Sequence, residues 1–275
     1  MFGTNQIVGR AYFKNAENSL LVTSIFASLQ GEGPFCGRPA IFLRLSKCNL
    51  ACPWCDAFFD YGDWFTIDNL VNEIYKRVPG DGVRGRFGLV VTGGEPSLQS
   101  NLVLLLEKLN FSPWEFLQIE SNGILVLENL PNYVTLVVSP KCNDNKGVAE
   151  RYLKPNPQML TRADCLKFVM CADKDSPYNS IPDWALDWHK DTKRHIYLSP
   201  MNIYNKLPEK IERLRQLKEI PGIEARSTVY EVASFWEPGL LDMAANQRNH
   251  EYTARYAIDH GLYLSIQMHL LASLA

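Results

Sequence analysis

The chain carries no surplus of charge of either sign. Its 28 Lys and Arg nearly cancel 30 Asp and Glu, for a net charge of −2. An electrostatic grip on nucleic acid needs a basic surplus, so no nucleic-acid partner is expected. Long apolar runs are missing too. Stretches such as Leu102–Leu106 fall far short of the roughly 20 residues of a membrane helix, so no membrane partner is expected. The start, Met1-Phe2-Gly3-Thr4-Asn5, is not a charged segment leading into an apolar one. No internal repeat, low-complexity tract or Pro/Gly/Ser linker divides the sequence. We therefore expect a single domain over residues 1–275, with its core at about 20–200 and a C-terminal extension at about 201–275. Cysteine is scarce and unevenly placed. There are seven, an odd number, and three are grouped. With no signal peptide expected, this argues for a reducing cytoplasm rather than a disulfide framework.

The grouped three are the most informative residues present. They lie in Lys47-Cys48-Asn49-Leu50-Ala51-Cys52-Pro53-Trp54-Cys55, a C-x3-C-x2-C pattern. Three thiolates this close can wrap one side of an iron–sulfur cluster. A four-iron cubane takes one ligand per iron, so three local cysteines leave one iron open. Structural zinc usually takes four ligands as two separated pairs, and neither Cys36 nor His189 completes such a set.

Apolar, β-branched-rich runs alternate with helical spacing along the chain. Strands are predicted at Leu20–Ser28, Ala40–Leu45, Phe87–Val91, Phe116–Ile119, Tyr133–Val138, Cys165–Met170, His195–Leu198 and Leu262–Gln267. Helices are predicted from about Ile67 to Arg77 behind Thr66, at Ser97–Leu109, and from about Pro238 to His260 before Gly261. Residues 142–160 and 172–182 read as loops or insertions, given Pro155, Pro157, Pro177 and Pro182. Repeated strand–loop–helix order implies parallel strands with crossover helices, whose functional groups gather at the carboxyl ends of the strands. Polar motifs stand at those ends here, as a site on a partial or full α/β barrel requires. One of them, Gly93-Gly94-Glu95-Pro96, lets backbone approach a ligand closely and offers a carboxylate to an ammonium group. Alone, it reads equally well as a plain strand-to-helix turn. Beside a cluster with an open iron, it points to a ligand bearing both an amine and a carboxylate.

The pair of C-x3-C-x2-C and GGEP, with the aromatic Trp54 before the third cysteine, resembles the radical S-adenosylmethionine (SAM) superfamily. The flanks are similar to the 7-carboxy-7-deazaguanine synthase family. They are Leu29-Gln30-Gly31-Glu32-Gly33, Gly37-Arg38-Pro39-Ala40, Arg44, Ser139-Pro140-Lys141, Leu166-Lys167, Pro200-Met201 and Leu264-Ser265-Ile266-Gln267-Met268-His269. The resemblance implies an α/β fold, a partial (β/α)6 barrel of the radical SAM type with a C-terminal helical and strand extension. It implies a [4Fe-4S] cluster on Cys48, Cys52 and Cys55 that cleaves SAM to a 5′-deoxyadenosyl radical. The expected reaction turns 6-carboxy-5,6,7,8-tetrahydropterin into 7-carboxy-7-deazaguanine with loss of ammonia. A flavodoxin- or ferredoxin-type reductant and a homodimer are also implied.

By family position, Gly93, Gly94, Glu95, Ser139, Pro140, Lys141, Ser199 and Asn202 meet SAM. Leu29, Gln30, Gly31, Glu32, Arg44, Thr92 and His269 meet the pterin, and no side chain need be a base or nucleophile beyond the cofactor. Two positions depart from the family. Ala57 stands where a Thr commonly helps bind Mg2+, leaving Asp56 or Asp60 as the nearby carboxylates. Ser199 stands where Gln is common before Pro-Met. Cys36, Cys142, Cys165 and Cys171 receive no role. A glycyl-radical activating enzyme and an inactive iron–sulfur interaction protein are the alternatives.

Overall fold

Alternating apolar residues build one large sheet. The protein is described here by a computed structural model covering residues 7–57, 59–80, 85–110, 114–145, 148–205, 241–272 and 274. In chain order the elements are β1 (Ser19–Leu29), β2 (Pro39–Leu45), β3 (Asp63–Thr66), α1 (Ile67–Lys76), β4 (Gly88–Gly93) and α2 (Leu102–Leu109). They continue with β5 (Leu117–Ser121), β6 (Val134–Val138), β7 (Cys142–Asn145), β8 (Val148–Tyr152), α3 (Pro157–Arg162) and β9 (Cys165–Met170). The last are α4 (Asp183–Thr192), β10 (His195–Pro200), α5 (Met243–His260), β11 (Tyr263–Leu264) and α6 (Met268–Leu271).

Among the described residues, nine strands pair in the order β11-β10-β9-β6-β5-β4-β2-β1-β3. From β2 to β11 every pairing is parallel, while β1 runs antiparallel to both β2 and β3. The sheet is open, with β3 and β11 at its edges. The expected fold class thus stands as a mostly parallel, unclosed α/β sheet.

Strand parity divides this sheet into two chemically different faces. Ile41, Leu43 and Leu45 of β2, Leu89 and Val91 of β4, Leu117 and Ile119 of β5, and Leu166, Phe168 and Met170 of β9 join one buried core. The same core takes Ile67, Leu70 and Ile74, the helical stripe of α1. The residues between them turn to the opposite face, where Phe42, Arg44, Thr92, Glu120, Lys167 and Val169 line a cavity.

Several boundaries differ from expectation. The helix predicted at Ser97–Leu109 is a 3-10 turn, Pro96–Leu98, followed by α2. Gln99 explains the break. Its side chain bonds the backbone of Leu21 at 2.8 and 3.0 Å, which pins this stretch to β1. Residues 142–160 are not a loop, since they hold the β7–β8 hairpin and the start of α3. Asn156 caps α3 by accepting from Gln158 N, and Pro157 occupies its first turn, where a missing N–H costs nothing. The predicted strand Leu262–Gln267 shrinks to the two residues of β11. Ser265 then bonds Leu198 at 2.8 Å and the chain turns into α6. Helix α5 begins at Met243 behind Asp242, which accepts from Ala245 N at 2.9 Å. The predicted start at Pro238 lies outside the described residues.

Helix α5 does more than cover the sheet. Asn249, 4% exposed, donates to Met201 O at 2.7 Å and accepts from Ala172 N at 2.9 Å. Asn246 bonds both the N–H and the carbonyl of Ile203. These amides hold the segment after β10, which carries Tyr204 to the cavity. Asn249→Leu strands two backbone groups and is expected to cost about 2–3 kcal/mol, read as a fall in the urea midpoint. A change below about 0.5 kcal/mol contradicts this role.

Candidate active site

The carboxyl ends of the parallel strands open into a cavity of about 220 Å³. Thirteen of the sequence-predicted residues line it. They are Gln30, Glu32, Arg44, Cys48, Cys52, Cys55, Thr92, Gly93, Gly94, Glu95, Ser139, Lys141 and His269. Leu29, Gly31, Pro140, Ser199 and Asn202 stand outside its lining.

The loop after β2 places the three cysteines. Lys47 enters it with φ 73°, a left-handed conformation that costs a non-glycine residue energy. The loop is seated on the GGEP turn. A Cβ at Gly94 would lie 1.8 Å from Lys47 O, and one at Gly93 would lie 2.1 Å from Leu45 O. Both glycines are thus required by the close approach of this backbone. Glu95 N also donates to Lys47 O at 2.9 Å.

The donor chemistry fits an iron–sulfur cluster. Soft thiols select iron–sulfur or zinc, and the three here share one cavity wall. A four-iron cubane takes each thiolate at a different iron. Burial pushes the Cys55 thiol up to about 12, and the Asp56 carboxylate adds to the rise.

Glu95 lines the cavity with its carboxylate bonded within the protein. It is 1% exposed, and its carboxylate accepts from Ser97 N (2.9 Å), Ser97 Oγ (2.6 Å), Ser121 Oγ (2.7 Å) and Asn122 N (2.7 Å). Four protein donors occupy a group with about four acceptor positions. Its observed bonds rivet the end of β4 to the end of β5, which leaves the turn's backbone to face a ligand.

A buried ion triad sits opposite. Lys167 Nζ lies 2.8 Å from Glu32 Oε2 and 2.6 Å from Glu120 Oε2, with side chains 7%, 14% and 16% exposed. Burial alone would lower the lysine pKa, but Glu120 and Glu32 outweigh it and hold the ammonium above its ordinary value. Burial likewise raises Glu32, yet Lys167 prevails and its carboxyl ends below the usual range. Gln30 and Gln118 donate to the other Glu120 oxygen at 3.1 and 3.0 Å. Ser199 lies within hydrogen-bond reach of Glu32 and of Ser265 O. Its short side chain reaches that carboxylate and stays out of the cavity lining.

The C-terminal segment closes the cavity. Ser265 Oγ accepts from Gly33 N at 2.9 Å, and Gln267 Nε2 donates to Asp56 Oδ2 at 3.2 Å. His269 packs on Gly31, where a Cβ would lie 2.4 Å from its Nδ1. Gly31 is thus a spacer for the histidine. Burial holds His269 below its ordinary pKa, so its imidazole is neutral near pH 7. Lys141 donates to Ser139 and lies 5.8 Å from the centre of the Trp54 ring. Ala57 and Asp56 line the cavity, whereas Asp60 is 2% exposed and does not.

Comparison with known proteins follows the same lines. The radical SAM superfamily model matches residues 44–163. The 7-carboxy-7-deazaguanine synthase of Rickettsia prowazekii is 36% identical over 184 residues, 66% of this chain and 74% of the relative. The chain belongs to the 7-carboxy-7-deazaguanine synthase family. That of Koribacter versatilis is 39% identical over 153 residues, 54% of this chain and 64% of the relative. The crystal structure of QueE from Escherichia coli shares the fold. Its TM-score is 0.56 at 23% identity, covering 95% of this chain and 99% of that one. Membership in this radical SAM lyase family sets aside the activating-enzyme alternative.

Sequence reading missed Glu120, Asn122 and Tyr204 as lining residues, and Lys167 and Gln267 entered only as parts of motifs. Strand parity was the available signal for two of them. Gln118-x-Glu120 and Lys167-x-Val169 follow the period that places Arg44 and Thr92.

Lys167→Met leaves two buried carboxylates facing each other and is expected to destabilise the fold by about 3–5 kcal/mol at pH 7. Glu32 is held low, so the stability it contributes is present above about pH 4.5 and is lost as pH falls through its folded value. The deficit of Lys167→Met should therefore shrink below about pH 4.5. Chemical denaturation across pH checks this, and a deficit that does not change with pH contradicts it. His269 adds a separate loss of stability as pH drops below 6.5, because the unfolded imidazole binds the proton that the buried one excludes.

Proposed function

We propose that this chain is a 7-carboxy-7-deazaguanine synthase acting on 6-carboxy-5,6,7,8-tetrahydropterin. The observation that carries the reading is one shared cavity. Its wall holds the three cysteines, the Gly93-Gly94 turn and the charged set Glu32, Arg44, Glu120 and Lys167. In this reading Cys48, Cys52 and Cys55 hold a [4Fe-4S] cluster, which supplies the electron that splits SAM and starts the radical ring contraction. Gly93, Gly94, Ser139, Pro140, Lys141, Ser199 and Asn202 form or support the SAM side. Glu95 acts through its rivet to β5.

The other residues suit a planar, carboxylate-bearing substrate. Arg44 pairs with the carboxylate, and a guanidinium can do so in bidentate fashion. Glu32 and Glu120 keep acceptor capacity toward the cavity, and an amino-pyrimidine edge offers the matching N–H donors. Gln30 and Thr92 add polar contacts, with Leu29 and Gly31 behind them. Neutral His269 can donate or accept a hydrogen bond to the ring without adding charge. The Gln267 strap excludes water and so keeps a radical near its target. The reductant in this reading is a flavodoxin or ferredoxin, the assembly is a homodimer and the compartment is the cytoplasm.

Anaerobically reconstituted protein given SAM, a reductant and the tetrahydropterin is expected to release 5′-deoxyadenosine and the deazaguanine acid. An intact cluster with no deazaguanine product overturns the reading. Ala57 generates a second prediction. Its methyl offers no oxygen to Mg2+, while Asp56 beside it lines the cavity. Turnover is expected to depend weakly on magnesium, and Ala57→Thr to strengthen that dependence. The same magnesium titration curve for both proteins refutes this.

A further inference from the structure

The loop that carries the cysteines has an outer side as well as a cavity side. Ile7 pairs with Cys48 in a β-bridge, and Val8 N donates to Cys48 O at 2.9 Å. Ile7 is nevertheless 60% exposed, so little chain separates the first cysteine from solvent here. Exposed aromatic rings stand around it. Tyr12 and Tyr61 flank Lys47, whose Nζ lies 5.5 and 5.8 Å from their ring centres, and Phe13 joins Tyr12 to Trp64 by edge contacts. Ile7, Tyr12, Tyr61 and Trp64 are all exposed, and none of them lines the cavity. Single exposed apolar residues are ordinary, whereas a group of them marks an interaction site. The half of this patch beside Cys48 is also positive. Residues 7–16 carry Arg10 and Lys14 and no acid, while Asp60 and Asp63 stand on the Tyr61–Trp64 side. The Arg10 guanidinium bonds the carbonyls of Ser97 and Val126, which accept from it without cancelling its charge.

We propose that this patch of Ile7, Tyr12, Tyr61 and Trp64 around Lys47 is the docking surface for an acidic, flavin-carrying electron donor of the flavodoxin type. This rests on the reading above, in which a reduced cluster splits SAM. Electron transfer through protein slows steeply with distance, so a donor must dock where the cover over the cluster loop is thin. The bridge between exposed Ile7 and Cys48 marks such a place. The rings suit a flavin, whose planar edge can stack on exposed aromatics. Arg10, Lys14 and Lys47 suit an acidic rim around that flavin, which gives orientation and a fast encounter more than affinity. The flavin loses one electron and the cluster gains it, and no covalent bond forms or breaks. Contacts between redox partners are small and transient, in keeping with a patch of four side chains.

The test uses anaerobically reconstituted protein and a bacterial flavodoxin, with two readouts. One is the Kd of the two proteins by calorimetry, and the other is 5′-deoxyadenosine formation driven by reduced flavodoxin or by dithionite. Tyr12→Ser combined with Tyr61→Ser is expected to raise the flavodoxin Kd at least fivefold. Lys14→Glu is expected to raise it about fivefold at low salt, with the difference fading at high salt. In both variants the dithionite-driven rate is expected to stay at the parent's value, because a small donor needs no docking surface. A flavodoxin Kd unchanged in both variants overturns the proposal. So does a dithionite-driven rate that falls as far as the flavodoxin-driven one, which assigns the patch to support of the cysteine loop. If the double variant fails to fold by its melting curve, Lys14→Glu decides alone by the same two readouts. A ferredoxin that loses affinity in these variants while flavodoxin keeps it overturns the choice of partner. A parent protein that forms no 5′-deoxyadenosine with dithionite refutes the functional reading instead, and the flavodoxin Kd still decides the docking surface.

Discussion

The site depends on strand parity at the carboxyl edge of a parallel sheet. Each strand sends alternate side chains to opposite faces, and the helix-side face must be apolar to bury the core. That requirement leaves the residues between free to be polar. Arg44, Thr92, Glu120 and Lys167 all occupy the free parity near a carboxyl end. A slip of one residue in any of these strands would put a charge into the core and a leucine into the cavity. Register and chemistry are therefore selected together. Arg44 lies directly across from Thr92 in the β2–β4 ladder, so the two reach the cavity side by side.

Polar groups this buried are tolerated because most of them are matched within the protein. Lys167 neutralises two carboxylates at once, and Glu95 is satisfied by four donors from two strand ends. His269 stays uncharged because burial outweighs the acids around it. These internal bonds fix where each polar group stands in the cavity wall.

Much of this was legible in the residues. The cysteine spacing, the GGEP turn and the polar flanks named thirteen of the residues that line the cavity, and the main parallel strands fell close to their predicted places. What escaped had physical causes. The β7–β8 hairpin lies in a stretch whose prolines read as loop. The helix after GGEP was predicted too long, because the bonds from Gln99 to Leu21 cannot be foreseen from local spacing. The bonds of Glu95 to Ser97, Ser121 and Asn122, and the nearness of Ser199 to Glu32, arise from the fold and not from any local motif.

The central claim is that three thiols of one loop hold a four-iron cluster and leave one iron for SAM. Mössbauer spectroscopy of anaerobically reconstituted protein, recorded with and without SAM, addresses it most directly. The account predicts four irons, of which a single one changes its signal when SAM is added. Zinc in place of iron, or four irons that are indifferent to SAM, would contradict it.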